Sequence, residues 1–334
     1  MSADAPTPEV ITGQDARAWF ERRTYHHERF RPPGPLVEAK AALGHTVTAC
    51  LPTRNEEATV GAIVRCIREE LVERVPLVDE ILLVDGASTD GTAIEAATEG
   101  AVVVQQDDIL PHLAPAGGKG DALWKSLFAS KGDLIIFLDA DVENFDPRFV
   151  TGLLGPLLID PAVAFVKAFY ERPIRHDVEL YPSGGGRVTE LLGRPLINLL
   201  WPHLAGFVQP LSGEYAGRRS VLERLPFLTG YGVELGLLID VAGACGLDAL
   251  AQVDLDQRVH RNQSIDELSR MSFAILQAAM LRLRTSGRVG LVEGVGTTLY
   301  RFRKDDERYV MDPVVTEVVE RAAAITFPEY AARS

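Results

Sequence analysis

From His45 onward the chain repeats short, almost uninterrupted apolar runs separated by helix-length segments, a pattern few folds accept. His45-Thr-Val-Thr-Ala-Cys-Leu-Pro reads as a strand, and Ala58 to Leu71 follows with helical spacing. Asp79-Glu-Ile-Leu-Leu-Val-Asp-Gly is a second strand, closed by the turn signal Gly86-Ala-Ser-Thr-Asp-Gly. A further helix and Ala101-Val-Val-Val-Gln come next. A helix from about Gly120 to Ser130 then leads into Asp133-Leu-Ile-Ile-Phe-Leu-Asp-Ala-Asp. Strands that are apolar throughout, rather than at alternate positions, are covered on both faces. Alternation with helices makes the sheet mostly parallel and right-handedly wound. The expected class is α/β, a mostly parallel central sheet flanked by helices, with a helical C-terminal extension.

The polar residues of these segments gather just past the strands' carboxyl ends: Arg54, Asn55 and Glu56, then Asp85, then Asp139 and Asp141. In open α/β sheets that edge is where ligands sit. Before His45, Glu21-Arg-Arg-Thr-Tyr-His-His-Glu-Arg-Phe reads as a helical arm and Arg31-Pro-Pro-Gly-Pro as an extended link. The second half is less regular, and no repeat or clean linker divides the chain. With 47 acidic against 34 basic residues the net charge is −13, so a basic face for a nucleic-acid backbone is not expected. The scattered cysteines, Cys50, Cys66 and Cys245, read as buried thiols in a reducing compartment. No run reaches the roughly 18 apolar residues of a membrane span, since Arg194 and Pro195 interrupt residues 191–201. Met1-Ser-Ala-Asp-Ala-Pro shows no secretory leader. The expectation is a cytoplasmic protein without a membrane partner.

Two nucleotide signatures are missing. Pro52-Thr-Arg-Asn-Glu-Glu follows the first strand where a dinucleotide fold would carry G-x-G-x-x-G, and Gly117-Gly-Lys-Gly lacks the flanking residues of an ATPase loop. What remains is Asp139-Ala140-Asp141, read as the end of a buried strand, where residues two apart face the same way. Two carboxylates there would suit a hard divalent cation that shares its shell with substrate phosphates; otherwise they are solvated acids at a turn. A dehalogenase-type phosphatase would want Thr at the fifth position, where this chain has Glu143. A nucleotide-sugar transferase uses such a pair to neutralise a departing diphosphate, and fits better.

Lys119, between glycines at a helix start, suits an anion, as does Arg187 after three glycines. Glu234 stands on an otherwise apolar helix face and needs a polar partner. Lys119, Lys167, Arg187 and Arg261 are the local positive charge available to anionic substrates in this acidic chain. Trp124 and Trp201 are expected in the core.

Assembled, these segments resemble a family-2-like GT-A glycosyltransferase, and more closely the actinobacterial glucosyl-3-phosphoglycerate synthases, over roughly residues 45 to 285. The resemblance rests on Leu51-Pro-Thr-Arg-Asn-Glu-Glu-Ala-Thr, Leu83-Val-Asp-Gly-Ala-Ser-Thr-Asp, Gly118-Lys-Gly-Asp-Ala-Leu-Trp and Leu138-Asp-Ala-Asp. More specific are Gly184-Gly-Gly-Arg-Val-Thr-Glu-Leu, Gln209-Pro-Leu-Ser-Gly-Glu-Tyr, Gly230-Tyr-Gly-Val-Glu-Leu-Gly and Val259-His-Arg-Asn.

It implies transfer of a hexose, glucose or mannose, to the 2-hydroxyl of 3-phosphoglycerate with retained configuration. The implied donor is UDP-glucose, GDP-glucose or GDP-mannose, the cofactor Mg²⁺ with Mn²⁺ admitted, and the assembly a homodimer. By resemblance, Pro52, Thr53, Asn55, Glu57, Asp85, Gly86, Lys119 and Ala140 bind the donor, and Asp139, Asp141 and His260 hold the metal. Gly186, Arg187, Thr189 and Asn262 grip the acceptor. Leu211, through its backbone, and Glu234 lie beside the transferred sugar, making Glu234, Leu211, Asp141 and Lys119 the expected catalytic set. Retention by same-face or by double displacement stays open, as do a nucleotide-sugar-binding module without turnover and another acceptor. The implied division is an arm over 1–44, a catalytic unit over 45–285 (donor half 45–142, acceptor half 143–285), and a charged surface or dimer-contact arm over 286–334.

Overall fold

The computed structural model describes residues 13–176, 179–181, 186–259, 263–291, 293–306 and 308–332. The chain opens with α1 (Gly13–Arg23), β1 (Thr24–His26) and α2 (Gly34–Leu43). The alternating part runs β2 (Val47–Thr53), α3 (Glu57–Ile67), β3 (Glu80–Asp85), α4 (Thr92–Thr98), β4 (Val102–Gln105), α5 (Gly118–Ala129), β5 (Leu134–Phe137), α6 (Arg148–Ile159) and β6 (Phe165–Glu171). A small hairpin, β7 (Ile174–His176) and β8 (Glu179–Tyr181), precedes α7 (Arg194–Leu200), β9 (Tyr215–Arg218), α8 (Arg219–Leu222), β10 (Phe227–Leu228) and α9 (Val233–Cys245). Then come β11 (Leu250–Gln257), α10 (Ile265–Thr285), β12 (Thr298–Asp305) and β13 (Arg308–Val315), followed by β14 (Glu320–Arg321).

Eight strands form the central sheet in the order β1-β11-β6-β9-β5-β2-β3-β4. All its pairings are parallel except those of β9, which runs antiparallel to β5 and β6. Side chains alternate across each strand, so the apolar runs feed two cores. Ala49, Leu51, Ile81, Leu83, Leu134 and Ile136 pack with α3 and α6 on one face, while Cys50, Leu82, Val84, Ile135 and Phe137 pack with α5 and α9 on the other. Each fully buried Val, Leu, Ile or Phe contributes about 1.5–3 kcal/mol, which is why the strands read as unbroken apolar text. Trp124 and Trp201 lie in the second core. Among the described residues no helix is long and apolar enough to cross a membrane; the three cysteines are free, but only Cys50 is buried as expected, Cys66 being half-buried and Cys245 exposed.

Three local expectations change. The segment expected as one helical arm breaks at Arg23: Thr24–His26 pairs parallel with Gln252–Asp254 as an edge strand, suited by β-branched Thr24 and aromatic Tyr25. Trp19 is buried and donates from Nε1 to the Leu250 carbonyl, 3.0 Å, so α1 is tied to the sheet. Strand β5 ends at Phe137, where its pairing with Cys50 ends, so Asp139–Asp141 forms the turn beyond the strand rather than its last residues. Finally, the C-terminal stretch returns to the core: Trp124 Nε1 donates to the Ala322 carbonyl at 2.9 Å, and Phe327 and Tyr330 pack near Phe128.

Candidate active site

The carboxyl ends of β2, β3 and β5 bring the expected donor residues together. Gly86 donates its N–H to the Thr53 carbonyl at 2.8 Å, holding the two strand ends side by side. Asn55 sits at φ +59°, a conformation Asn tolerates, and its Oδ1 accepts the Thr89 N–H at 2.8 Å. Glu57 Oε2 accepts the Gly91 N–H at 3.0 Å, and buried Asp85 accepts from the Ser88 hydroxyl at 2.5 Å. These side chains therefore knit residues 53–57 to the 85–91 loop. Pro52 and Thr53 line the same edge. Thr59 Oγ1 donates to the Ala140 carbonyl at 2.5 Å, fastening the start of α3 to the Asp139–Asp141 turn.

Lys119 enters from α5. A Cβ on Gly120 would lie 2.9 Å from Thr229 Cα and closer still to the Leu228 carbonyl, so only glycine lets the helix start approach β10. Lys119 Nζ then donates to the Asp139 carboxylate, lies 3.1 Å from Glu234 Oε1 and reaches the Gly213 carbonyl at 3.3 Å. Gly213 has the same constraint: a Cβ there would strike both the Asp139 carboxylate and the Lys119 amine.

Opposite Lys119 stands a residue to which the sequence reading assigned no role. Arg258 is 3% exposed, with Nη2 3.1 Å from Asp139 Oδ2 and 2.6 Å from Asp141 Oδ1, and Nε 2.7 Å from Glu214 Oε1. Burial pushes Asp139 up, but Lys119 and Arg258 outweigh it and hold the carboxyl well below its ordinary range. Burial lowers Lys119, yet Asp139 and Glu234 more than restore it. Glu214, wholly buried and accepting the Tyr170 hydroxyl, is raised by burial against the opposing pull of Arg258. Lys167 is pushed down by burial to about 7. Arg258 ends an otherwise strand-like run and Glu214 lies inside a quoted motif. A charge at the end of a buried strand was the only available signal, and it does not reveal a partner 44 residues away.

Both Asp139 and Asp141 present an oxygen to one guanidinium nitrogen while staying partly exposed. They therefore fit a hard divalent cation, which takes such oxygen donors.

The residues expected to hold the acceptor are described in part. Gly186 takes φ +74°, and exposed Arg187 donates from Nη2 to the Gln263 carbonyl at 3.0 Å; Thr189 is buried. His260 and Asn262 fall outside the described residues. Their flanks are placed: Val259 donates its N–H to Asn144 Oδ1 at 2.8 Å, next to the Asp139–Asp141 turn in sequence, and Gln263 meets Arg187. Leu211 packs against the chain at Gly193, where a Cβ would lie 2.8 Å from Leu211 Cδ1. The described residues thus gather two partly exposed carboxylates between Lys119 and Arg258 at the sheet's carboxyl edge, a charge set suited to meeting a phosphate through a cation.

The family model for glycosyl transferase family 2 matches residues 48–222. Glucosyl-3-phosphoglycerate synthase of Petrotoga mobilis is 44% identical over 309 residues, 92% of this chain and 95% of that protein. The crystal structure of mannosyl-3-phosphoglycerate synthase from Rubrobacter xylanophilus matches with a TM-score of 0.86 at 44% identity, covering 93% of this chain and 99% of that one. Glucosyl-3-phosphoglycerate synthase from Mycobacterium tuberculosis, solved with Mn²⁺, UDP and glucosyl-3-phosphoglycerate, matches with a TM-score of 0.75 at 41% identity, covering 87% and 94%. That enzyme has also been solved with Mg²⁺ and UDP.

Proposed function

The chain belongs to glycosyl transferase family 2 and, within it, to the glucosyl-3-phosphoglycerate synthase family; from that premise we propose that it moves glucose from UDP-glucose to the 2-hydroxyl of 3-phosphoglycerate with retained α configuration. The observation that carries the reading is the convergence of Asp139, Asp141, Lys119 and Glu234 at one sheet edge.

Asp141, supported by Asp139 and joined by His260, would hold Mg²⁺ or Mn²⁺. When bound, the cation supplies positive charge against the departing diphosphate. Lys119 adds a second positive charge at the same place, already fixed before the reaction. Arg187, with Gly186, Thr189 and Asn262, grips the phosphoglycerate. The bond between the anomeric carbon and the phosphate oxygen breaks, the acceptor oxygen bonds that carbon, and its proton leaves to the diphosphate. Glu234 is already engaged by Lys119 at 3.1 Å. That engagement favours a sugar-hydroxyl contact for Glu234 and a same-face displacement over a covalent intermediate.

Arg187→Ala removes a charge-assisted contact worth about 1.5–3 kcal/mol, so the KM for phosphoglycerate is expected to rise roughly 10- to 100-fold. The KM for the donor should stay within about twofold; initial rates with each substrate varied check this, and the reverse pattern moves Arg187 out of the acceptor site. The mannosyl-3-phosphoglycerate synthase likeness supports GDP-mannose as a second donor reading. Parallel rates with UDP-glucose, GDP-glucose and GDP-mannose separate the two.

The homodimer belongs to the same proposal, and the β12–β13 hairpin is the surface that supports it. Facing pairs Phe302 with Met311 and Tyr300 with Pro313, beside Tyr309 and Val315, make an apolar face, with Phe302 67% and Tyr309 75% exposed. Exposed patches of this kind mark contact surfaces. Light scattering should give twice the chain mass, and Phe302→Asp with Met311→Asp should give the single-chain mass. A wild-type monomer contradicts the assignment. The free cysteines fit a reducing, cytoplasmic setting.

A further inference from the structure

Four successive carbonyls, those of Leu211 to Glu214, run past Lys119 and Lys167, and among the described residues all but one accept a hydrogen bond. Lys167 Nζ donates to the Ser212 carbonyl at 2.9 Å, Lys119 Nζ to the Gly213 carbonyl at 3.3 Å, and the Ala168 N–H to the Glu214 carbonyl at 3.0 Å. The Leu211 carbonyl accepts no hydrogen bond among the described residues. Lys167 lies on β6 opposite Tyr215 of β9, 1% exposed, its amine 4.7 Å from the Tyr215 ring centre. A buried lysine amine is costly unless it serves a partner; this one donates to main chain, with Glu234 and Glu214 favouring its charge. Main-chain recognition leaves no trace in the identity of residue 212, so no side-chain pair announces it.

We infer that Lys167 is a positioning residue for the transfer step: by anchoring the Ser212 carbonyl it sets the 211–213 turn so that the free Leu211 carbonyl faces the transferred sugar. This rests on the proposed glucosyl transfer and on the place beside the sugar that the family resemblance implies for the Leu211 backbone. The turn is held at two consecutive peptides by two lysines with different duties. Lys119 also reaches the Asp139 carboxylate and Glu234. Lys167 has its hydrogen bond to the Ser212 carbonyl and its ring contact with Tyr215, with Glu234 and Glu214 close enough to favour its charge. A backbone carbonyl beside a developing positive centre acts through its placement, and misplacement by about 1 Å costs about 100-fold in rate.

The test is Lys167→Met, which preserves length and apolar bulk without the donor, with Lys167→Gln as a second variant that keeps an N–H. Steady-state rates are measured with UDP-glucose, 3-phosphoglycerate and Mg²⁺, and UDP affinity by calorimetry. The expected result for Lys167→Met is a fall in kcat of about 100-fold, with both KM values and the UDP Kd within about threefold. Lys167→Gln should lose less kcat than Lys167→Met. A merely structural role would lower affinity and kcat together, or leave kcat unchanged in the folded variant; either result overturns the inference. If Lys167→Met fails to fold, wild-type kcat in Lys167→Gln overturns it, and reduced kcat at unchanged KM upholds it. Wild-type protein that transfers no glucose overturns the function and this inference together, whereas an active wild type with indifferent variants overturns the inference alone.

Discussion

Asp141→Ala should lose more than about 10³-fold in kcat, the scale of removing a preorganised charge from a developing anion, while keeping its fold. Both halves follow from the geometry. Asp141 lies in the turn past β5, its side chain 30% exposed, and its partner is Arg258 at 2.6 Å. Without it, Arg258 keeps Asp139 at 3.1 Å and Glu214 at 2.7 Å, so no buried charge is stranded. The stability cost of losing one part-exposed pair is about 1 kcal/mol at most. Removing a carboxylate from an oxygen-donor pair instead leaves the cation one protein ligand short. Titration of the free variant with Mn²⁺, followed by spin resonance, should show weakened binding with an unchanged melting temperature. Retained turnover in a folded variant removes Asp141 from the metal role.

Arg258→Met should fail differently, through stability. The substitution leaves Glu214, with 0% side-chain exposure, hydrogen-bonded to the Tyr170 hydroxyl with no cation among the described residues paired to it at contact distance. Breaking a buried pair by deleting one partner costs about 3–5 kcal/mol, or roughly 4–7 °C in melting temperature for a chain of this size. The pH dependence gives the sign. Burial already raises Glu214 above the usual carboxylate value despite Arg258, and without the guanidinium it rises further. A carboxyl raised in the folded state stabilises below its unfolded pKa and loses that contribution as pH climbs through the folded value. The melting-temperature gap between variant and wild type should therefore narrow as pH falls toward the carboxylate range and widen toward pH 8. A gap independent of pH would mean that Glu214 is not the stranded group.

The alternating pattern carried most of this architecture, because strands buried on both faces have nowhere to put polar residues and their ends are where such residues reappear. Lys119 was legible as a charge at the sheet edge because it stands among glycines at a helix start, and it meets Asp139 and Glu234 there. The Asp139–Asp141 turn was placed correctly at the sheet edge but given to the strand, since the ladder's end depends on β2 as much as on β5. Arg258 and Glu214 were not legible as a pair, because nothing in a linear sequence says which buried charges meet. Thr24–His26 reads as helix in the sequence because local text shows the charged residues around it and not the Gln252–Asp254 edge that it covers. Ser212 is held through its carbonyl, which every residue has, so Lys167 stood out in the sequence only as a charge.

The central claim is tested most directly by identifying the product. Protein incubated with UDP-glucose, 3-phosphoglycerate and Mg²⁺, analysed by mass spectrometry and proton NMR, should give glucosyl-3-phosphoglycerate with an α anomeric signal and an equal amount of UDP. An excess of chelator should abolish both. Nucleotide binding with no sugar on the phosphoglycerate, or undiminished transfer in chelator, would contradict the account.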